Sequence, residues 1–95
     1  NNLTIYPIYS VFIPTAFSPN NDGNNDFFMP TTMGANSYNM KIFDRWGKLI
    51  YENNKKWDGK VDSKILPNGS YAYSITVYNF VNKPFIYTGF VNLVK

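Results

Sequence analysis

The chain has 95 residues, a net charge of +3 and a hydrophobic fraction of 44%, which suits one domain with a modest core. Cysteine and histidine are both absent, which excludes disulfides, thiol chemistry, the usual general base and the commonest transition-metal ligand. The aromatic share of 19% favours strands, because aromatic side chains pack well on a pleated surface.

The first element predicted in chain order is an edge strand, or two short strands, over residues 3–13. Apolar residues alternate there, and Pro7 interrupts the alternation. The apolar positions are Leu3, Ile5, Tyr9, Val11 and Ile13. No signal peptide is recognisable at the N-terminus, so we expect a targeting signal to lie upstream of Asn1 or to be the domain itself. Residues 1–11 are expected to be partly linker from a longer polypeptide.

The second element is a loop with the sequence FSPNNDGNNDFF, Phe17 to Phe28. Proline lacks an amide donor, glycine tolerates positive φ, and Asn and Asp bond their own backbone in turns, so a regular strand or helix is excluded. Oxygen-bearing side chains occupy alternate positions, namely Asn20, Asp22, Asn24 and Asp26. Calcium loops present ligands in this way, but two formal charges are few for a calcium site. The favoured interpretation is that Asp22 and Asp26 accept hydrogen bonds from backbone amides. Calcium binding by the four residues is the alternative.

Alternation continues through the rest of the chain, where turn signals separate short strands. A strand ending near Asp44 and a return strand from Leu49 form a predicted hairpin whose turn contains Gly47. The longest strand places Tyr71, Tyr73, Ile75 and Val77 on one face, and the last strand covers about residues 85–94. No segment has the helical period. About seven strands predict an all-β fold, a single antiparallel immunoglobulin-like β-sandwich.

Two motifs combine aromatic and polar residues. In IFDRWG, residues 42–47, Arg45 and Trp46 form either a structural turn or a recognition point, since both types anchor protein interfaces. In Trp57-Asp58-Gly59, the tryptophan is predicted to fill the core.

The remaining charged and polar residues indicate no catalysis or nucleic-acid binding. The lysines at positions 55, 56, 60 and 64 are predicted to be a solvated face, although they could attract phosphate or lipid headgroups. No base is available for a nucleophilic triad, and no phosphate-binding glycine loop is present. The chain is predicted not to be an enzyme and to need no cofactor other than, in the alternative above, calcium.

Five ordered blocks resemble the gliding motility-associated C-terminal domain, also called the type B C-terminal sorting domain of the type IX secretion system. The blocks are FSPNNDGNNDFF, YNMKIFDRWGKLIYE, WDG, LPNGSYAY and TGFVNLVK. They cover about residues 12–95, so the whole chain is interpreted as one such domain. Asn24 stands where the family usually has an apolar residue, which makes the loop unusually polar.

The resemblance implies that the domain directs a large cargo, such as a gliding adhesin of Bacteroidota, through the type IX translocon. It implies a PorP/SprF-class outer-membrane partner and export through the periplasm to the cell surface or the medium. We expect a monomer that neither spans the membrane nor binds nucleic acid. Two surfaces of the domain are predicted to dock to the translocon. The first is the rim formed by Asp22, Asp26, Arg45 and Trp46, and the second is the last strand, with Gly89, Val91, Leu93 and Lys95.

Two other functions fit the residues. The first is a calcium-dependent adhesion or carbohydrate-binding sandwich, in which exposed aromatics such as Tyr78, Phe80 or Phe85 would stack on a ligand. The second is a purely structural or oligomerising domain. Export of a fused reporter would distinguish both from a sorting signal.

Overall fold

A computed structural model describes residues 9–20, 23 and 25–95 of the chain. The fold is all-β, as predicted, and the described residues form nine strands. They are β1 (Ser10–Phe12), β2 (Ala16–Phe17), β3 (Thr31–Met33), β4 (Ala35–Phe43), β5 (Leu49–Asn53), β6 (Lys60–Val61), β7 (Lys64–Ile65), β8 (Gly69–Asn79) and β9 (Pro84–Leu93). The predicted strand over residues 3–8 lies outside the described part of the chain. No described segment forms a helix of the length and hydropathy needed to cross a membrane.

The largest sheet has five strands in the order β2-β9-β8-β4-β5. Strands β1 and β3 form a separate antiparallel pair, and so do β6 and β7. Within the large sheet, β2 runs parallel to β9 while the other neighbours are antiparallel. The prediction of about seven strands, all antiparallel, is therefore wrong in both respects. The parallel strand has only two residues, too few for any alternation to reveal it in the sequence.

One face of the large sheet carries the core. Tyr71, Ile75 and Val77 of β8 are buried on that face, and Tyr73 between them is partly buried, as their alternation predicts. The buried core side chains of the described residues are Phe17, Phe28, Met40, Ile42, Trp57, Tyr71, Ile75, Val77, Val91 and Leu93, and Pro30 is fully buried as well. No polar or charged side chain of the described residues is buried. The core is therefore held together by apolar and aromatic packing.

Trp57 is at the centre of this core and is fully buried. Its ring centroid lies 5.5 Å from that of Phe17 and 5.8 Å from that of Tyr71. Its main chain exchanges two hydrogen bonds with Phe28, with donor–acceptor distances of 2.8 and 2.9 Å. Its indole Nε1 donates to the Lys60 carbonyl at 3.1 Å, so the polar edge of the ring is satisfied. The predicted core role of this tryptophan is confirmed.

Gly89 of β9 is packed against an aromatic ring of the neighbouring strand. It pairs with Tyr73 of β8 across the sheet. A Cβ atom at Gly89 would lie 2.6 Å from the Tyr73 hydroxyl oxygen and 2.9 Å from its Cζ. Since real Cβ atoms do not approach other atoms so closely, the absence of a side chain is what lets the Tyr73 ring lie over the strand.

Tyr9 ties the first described residues to β9, because its hydroxyl lies 2.8 Å from the Tyr87 hydroxyl. Burial, and secondly this hydrogen bond, raises the pKa of Tyr9 from 10.0 to about 12. Burial also raises the pKa values of Tyr38, Tyr51 and Tyr71. Folding therefore opposes ionisation of all four tyrosines.

Stability should consequently fall as the solution becomes alkaline. For a group with a raised folded-state pKa, the stabilisation is complete below the unfolded pKa and is lost as pH rises through the folded one. We expect the free energy of unfolding, measured with urea, to decrease between about pH 10 and pH 12. Tyr9→Phe should make this decrease smaller. A stability that stays constant across this range would contradict the prediction.

Candidate recognition surfaces

The turn between β4 and β5 holds Arg45 and Trp46 at the surface. The Asp44 carboxylate fixes the turn, since its Oδ1 accepts hydrogen bonds from the amides of Trp46 and Lys48, both at 2.9 Å. The Asp44 carbonyl accepts a third bond from Gly47, whose φ of +83° suits glycine. The predicted hairpin with Gly47 in its turn is confirmed. Trp46 is 81% exposed, so this part of the motif does not pack into the core.

Removal of the Asp44 carboxylate should destabilise the turn. Asp44→Ala leaves two amides without their acceptor, and we expect a loss of about 1–2 kcal/mol in the free energy of unfolding. Asp44→Asn keeps an acceptor oxygen and should lose less. Urea unfolding of the three proteins measures both effects. Equal stability of Asp44→Ala and the parent chain would show that these bonds contribute nothing.

A cleft of about 220 Å³ lies beside this turn. The turn supplies one wall, and the segment from Val61 to Tyr71 supplies much of the other. The Arg45 guanidinium carbon lies 5.3 Å from the centroid of the Trp46 ring, so cation and ring stack at the edge of the cleft. The sequence did not predict that Leu66 and Pro67 lie in the same cleft as these two residues.

The four recognition residues predicted in the last strand have different surroundings. The side chains of Val91 and Leu93 are fully buried in the core. Gly89 faces Tyr73, as described above. Lys95 is exposed, and its amide donates to the Asn68 side-chain oxygen at 2.9 Å. Among these four, Lys95 alone presents a side chain to solvent.

The other face of β9 carries exposed apolar side chains that were not predicted as recognition residues. Ile86 is 69% exposed and Phe90 is 70% exposed, with the exposed Thr88 between them. The stretch from Pro84 to Val94 contains no charged residue. The alternation of the last strand could have identified this exposed face. Its odd positions, such as Val91, fill the core, so its even positions must face outward. Of the aromatics proposed for ligand stacking, Phe80 is 38% exposed, and Tyr78 and Phe85 are half-buried.

The edge of β9 that faces away from β8 is paired with another strand over only part of its length. Strand β2 pairs with it at Asn92 and Leu93, through hydrogen bonds from Asn92 to the Thr15 carbonyl and from Val94 to the Phe17 carbonyl. From Pro84 to Val91, no strand of the described residues pairs with this edge.

Hydrogen bonds connect described residues of the Asn/Asp loop. Asp26 Oδ2 accepts a hydrogen bond from the Gly23 amide at 2.8 Å, as the structural interpretation of this carboxylate predicts. The Ser18 amide donates to the Asn25 carbonyl at 2.7 Å, which closes the loop. Asp22 and Asn24 lie outside the described residues, so calcium binding by the four predicted ligands stays a prediction. The described residues contain no group of three acidic side chains that could hold a metal ion.

A second cleft, of about 410 Å³, borders the loop and is lined by Pro19, Asp26, Phe27, Asp58 and Lys60. Lys60 lines this cleft while the next residue, Val61, lines the cleft at the turn. The loop and the turn therefore flank the same short strand, β6. Nearby, Lys56 Nζ lies 4.0 Å from the centroid of the Phe27 ring. The four lysines at positions 55, 56, 60 and 64 are exposed, as predicted.

Comparison with known proteins identifies the family. No protein of curated function and no solved structure gives a significant match. The family model described as CHU_C Type IX secretion signal domain matches residues 11–93, which include the loop, the turn, both clefts and the whole of β9. The resemblance inferred from the five sequence blocks is therefore confirmed. The chain belongs to the type IX secretion signal domain family.

Proposed function

We propose that the domain is the sorting signal of a large secreted or surface protein, such as an adhesin, and that it docks to outer-membrane components of the type IX secretion system. Membership of the secretion signal family is the observation that carries this proposal. That family is not a catalytic one, and we assign no reaction to the chain. The docking partner is expected to include a PorP/SprF-class protein. The cargo would pass through the periplasm to the surface or the medium of a bacterium of the Bacteroidota.

The edge of β9 that faces away from β8 is the surface best suited to this docking, since no strand of the described residues pairs with it from Pro84 to Val91. The Asn92 amide points away from β8, because it donates to Thr15 on the other side. Alternate residues of a strand direct their main-chain groups to the same side, so those of Ile86, Thr88 and Phe90 also point away from β8. Extended segments bind to such edges by adding a strand. The lack of charge from Pro84 to Val94 supports this role, since edge strands that avoid pairing usually carry charges.

We further propose that the domain is an immunoglobulin-like sandwich that acts as a monomer. The strand order β9-β8-β4-β5 corresponds to the G-F-C-C′ order of that fold. The small β1–β3 pair supplies part of the second layer, since Val11 packs against the core.

A secretion assay tests the proposal. The 95-residue chain is fused to the C-terminus of a periplasm-exported reporter in a bacterium that has a type IX system, and the reporter in the medium is measured. We expect the fusion to be secreted, and the double variant Ile86→Lys, Phe90→Lys to be retained. Thr76→Lys is the matched control, because Thr76 pairs with Ile86 and lies on the same face but away from the edge.

Two results would count against the proposal. Retention of the unmodified fusion would contradict the sorting function itself. Secretion of the double variant at the level of the unmodified fusion would show that the β9 edge is not the docking surface. Thermal melting of each isolated variant establishes that retention does not reflect unfolding.

A further inference from the structure

The cleft beside the β4–β5 turn has the size of a single side chain. Its apolar lining consists of Trp46, Ile50, Val61, Leu66, Pro67 and Tyr71. A volume of about 220 Å³ is below the range of about 300–1,000 Å³ that is usual for small-molecule sites. It exceeds the roughly 150 Å³ that suffices for benzene. The cleft therefore fits one aromatic or large aliphatic side chain.

The walls of the cleft are fixed before any partner binds. The Tyr71 hydroxyl donates to the Pro67 carbonyl at 2.7 Å, which ties one wall to β8. The Leu66 amide donates to the Gly59 carbonyl at 2.9 Å. On the opposite wall, the Asp44 carboxylate holds the turn through two backbone amides. A preformed cleft binds with little ordering cost, which favours recognition by a short segment.

The positively charged side chain of Arg45 lies at the edge of this apolar cleft. No ion pair joins it to a carboxylate of the described residues, and its guanidinium lies over the Trp46 ring and close to Gly69. The Asp44 carboxylate, which also lines the cleft, is directed to the amides of Trp46 and Lys48. A guanidinium carries five donors in a planar fork that matches a carboxylate. An acidic group of a partner would therefore find available donors beside the cleft.

We propose that this cleft binds a segment of a partner protein in which an aromatic or large aliphatic side chain is followed directly by Asp or Glu. The apolar side chain fills the cleft, and the carboxylate pairs with Arg45. Trp46 contributes an exposed ring against which the segment packs. This inference rests on the proposed function only in taking the partner to be part of the secretion machinery. The binding itself is a property of the cleft.

Blocked tetrapeptides titrated against the 95-residue chain test the proposal, with binding followed by NMR chemical shifts. The probe is acetyl-Gly-Phe-Asp-Gly-amide. Its controls are acetyl-Gly-Phe-Lys-Gly-amide, which reverses the charge, and acetyl-Gly-Ala-Asp-Gly-amide, which removes the ring. We expect the Phe-Asp peptide to shift the resonances of Trp46, Val61 and Leu66 and to bind about threefold to fivefold more tightly than the Phe-Lys peptide. The Ala-Asp peptide should bind more weakly than either Phe peptide.

A pair of variants assigns the charge preference to one residue. Arg45→Gln should remove the preference for Phe-Asp over Phe-Lys. Lys48→Gln, in the same turn but not lining the cleft, should keep it. The proposal is overturned if the Phe-Asp peptide causes no shifts at about 10 mM, if the two Phe peptides bind equally, or if the shifts map elsewhere. Failure of the unmodified reporter fusion to be secreted would instead contradict the proposed function and leave the peptide result unchanged.

Discussion

Trp57→Ala should lower the free energy of unfolding by about 3–5 kcal/mol, the largest stability effect that we expect from one substitution. The ring is fully buried and lies within 6.1 Å, centroid to centroid, of the rings of Phe17, Tyr51 and Tyr71. Its removal leaves a cavity that these neighbours cannot fill without leaving their own positions. It also leaves the Lys60 carbonyl without the indole donor. Since small domains have about 5–15 kcal/mol of stability in total, much of the population could unfold.

Urea unfolding monitored by circular dichroism measures this effect, and Trp57→Phe is the matched control. Phenylalanine retains most of the apolar surface but no donor for Lys60, so we expect an intermediate loss. A loss below about 1 kcal/mol for Trp57→Ala would contradict the central position of this ring. In the secretion assay, Trp57→Ala shows how a strongly destabilised signal behaves, which makes it the reference for variants of the β9 edge.

Gly89→Ala should cost about 1–3 kcal/mol, the second large effect, because the added methyl group overlaps the Tyr73 hydroxyl. The relevant distances are 2.6 Å to the hydroxyl oxygen and 2.9 Å to the ring carbon that carries it. Tyr73 cannot move away freely, because its ring lies 5.5 Å from that of Phe28, centroid to centroid. The strand or the ring must therefore shift.

A double-mutant cycle identifies the source of this cost. Tyr73→Phe removes the nearest atom, so Gly89→Ala should be less costly in the Tyr73→Phe background than in the parent chain. The remaining contact with the ring carbon should keep part of the cost. Equal costs in the two backgrounds would show that the hydroxyl is not responsible. A smaller cost in the Tyr73→Phe background would assign Gly89 a packing role, which must then be separated from any role in docking.

Period-two alternation was sufficient to predict β8, the longest strand, and the face that it buries. Tyr71, Ile75 and Val77 are buried as their spacing requires, and Trp57 is in the core as its large apolar area predicts. The hairpin turn at Gly47 was also predictable, since aspartate and glycine at these positions favour a tight turn. These features depend on contacts close in sequence or on one repeating pattern.

The features that were not predicted depend on contacts between distant segments. The parallel pairing of Ala16 with Asn92 has no sequence pattern, because β2 is too short for one. The last strand was predicted as a docking edge, but which of its faces is buried was not, so Val91 and Leu93 were selected instead of Ile86 and Phe90. The cleft at Arg45 forms only when the segment around Leu66 folds against the turn.

The bond between Tyr9 and Tyr87 joins residues that are 78 positions apart in the chain. At a synthesis rate of about 5–20 residues per second, the second tyrosine follows the first by about 4–16 s. Until residues 84–93 follow, β8 lacks its β9 neighbour and β2 lacks its partner strand. A contact of this range also closes slowly, since its loop entropy is lost before the contact is gained. The strand whose edge we assign to docking is therefore the last of the nine described strands to be synthesised, so a chain cut short before residue 84 carries no such edge.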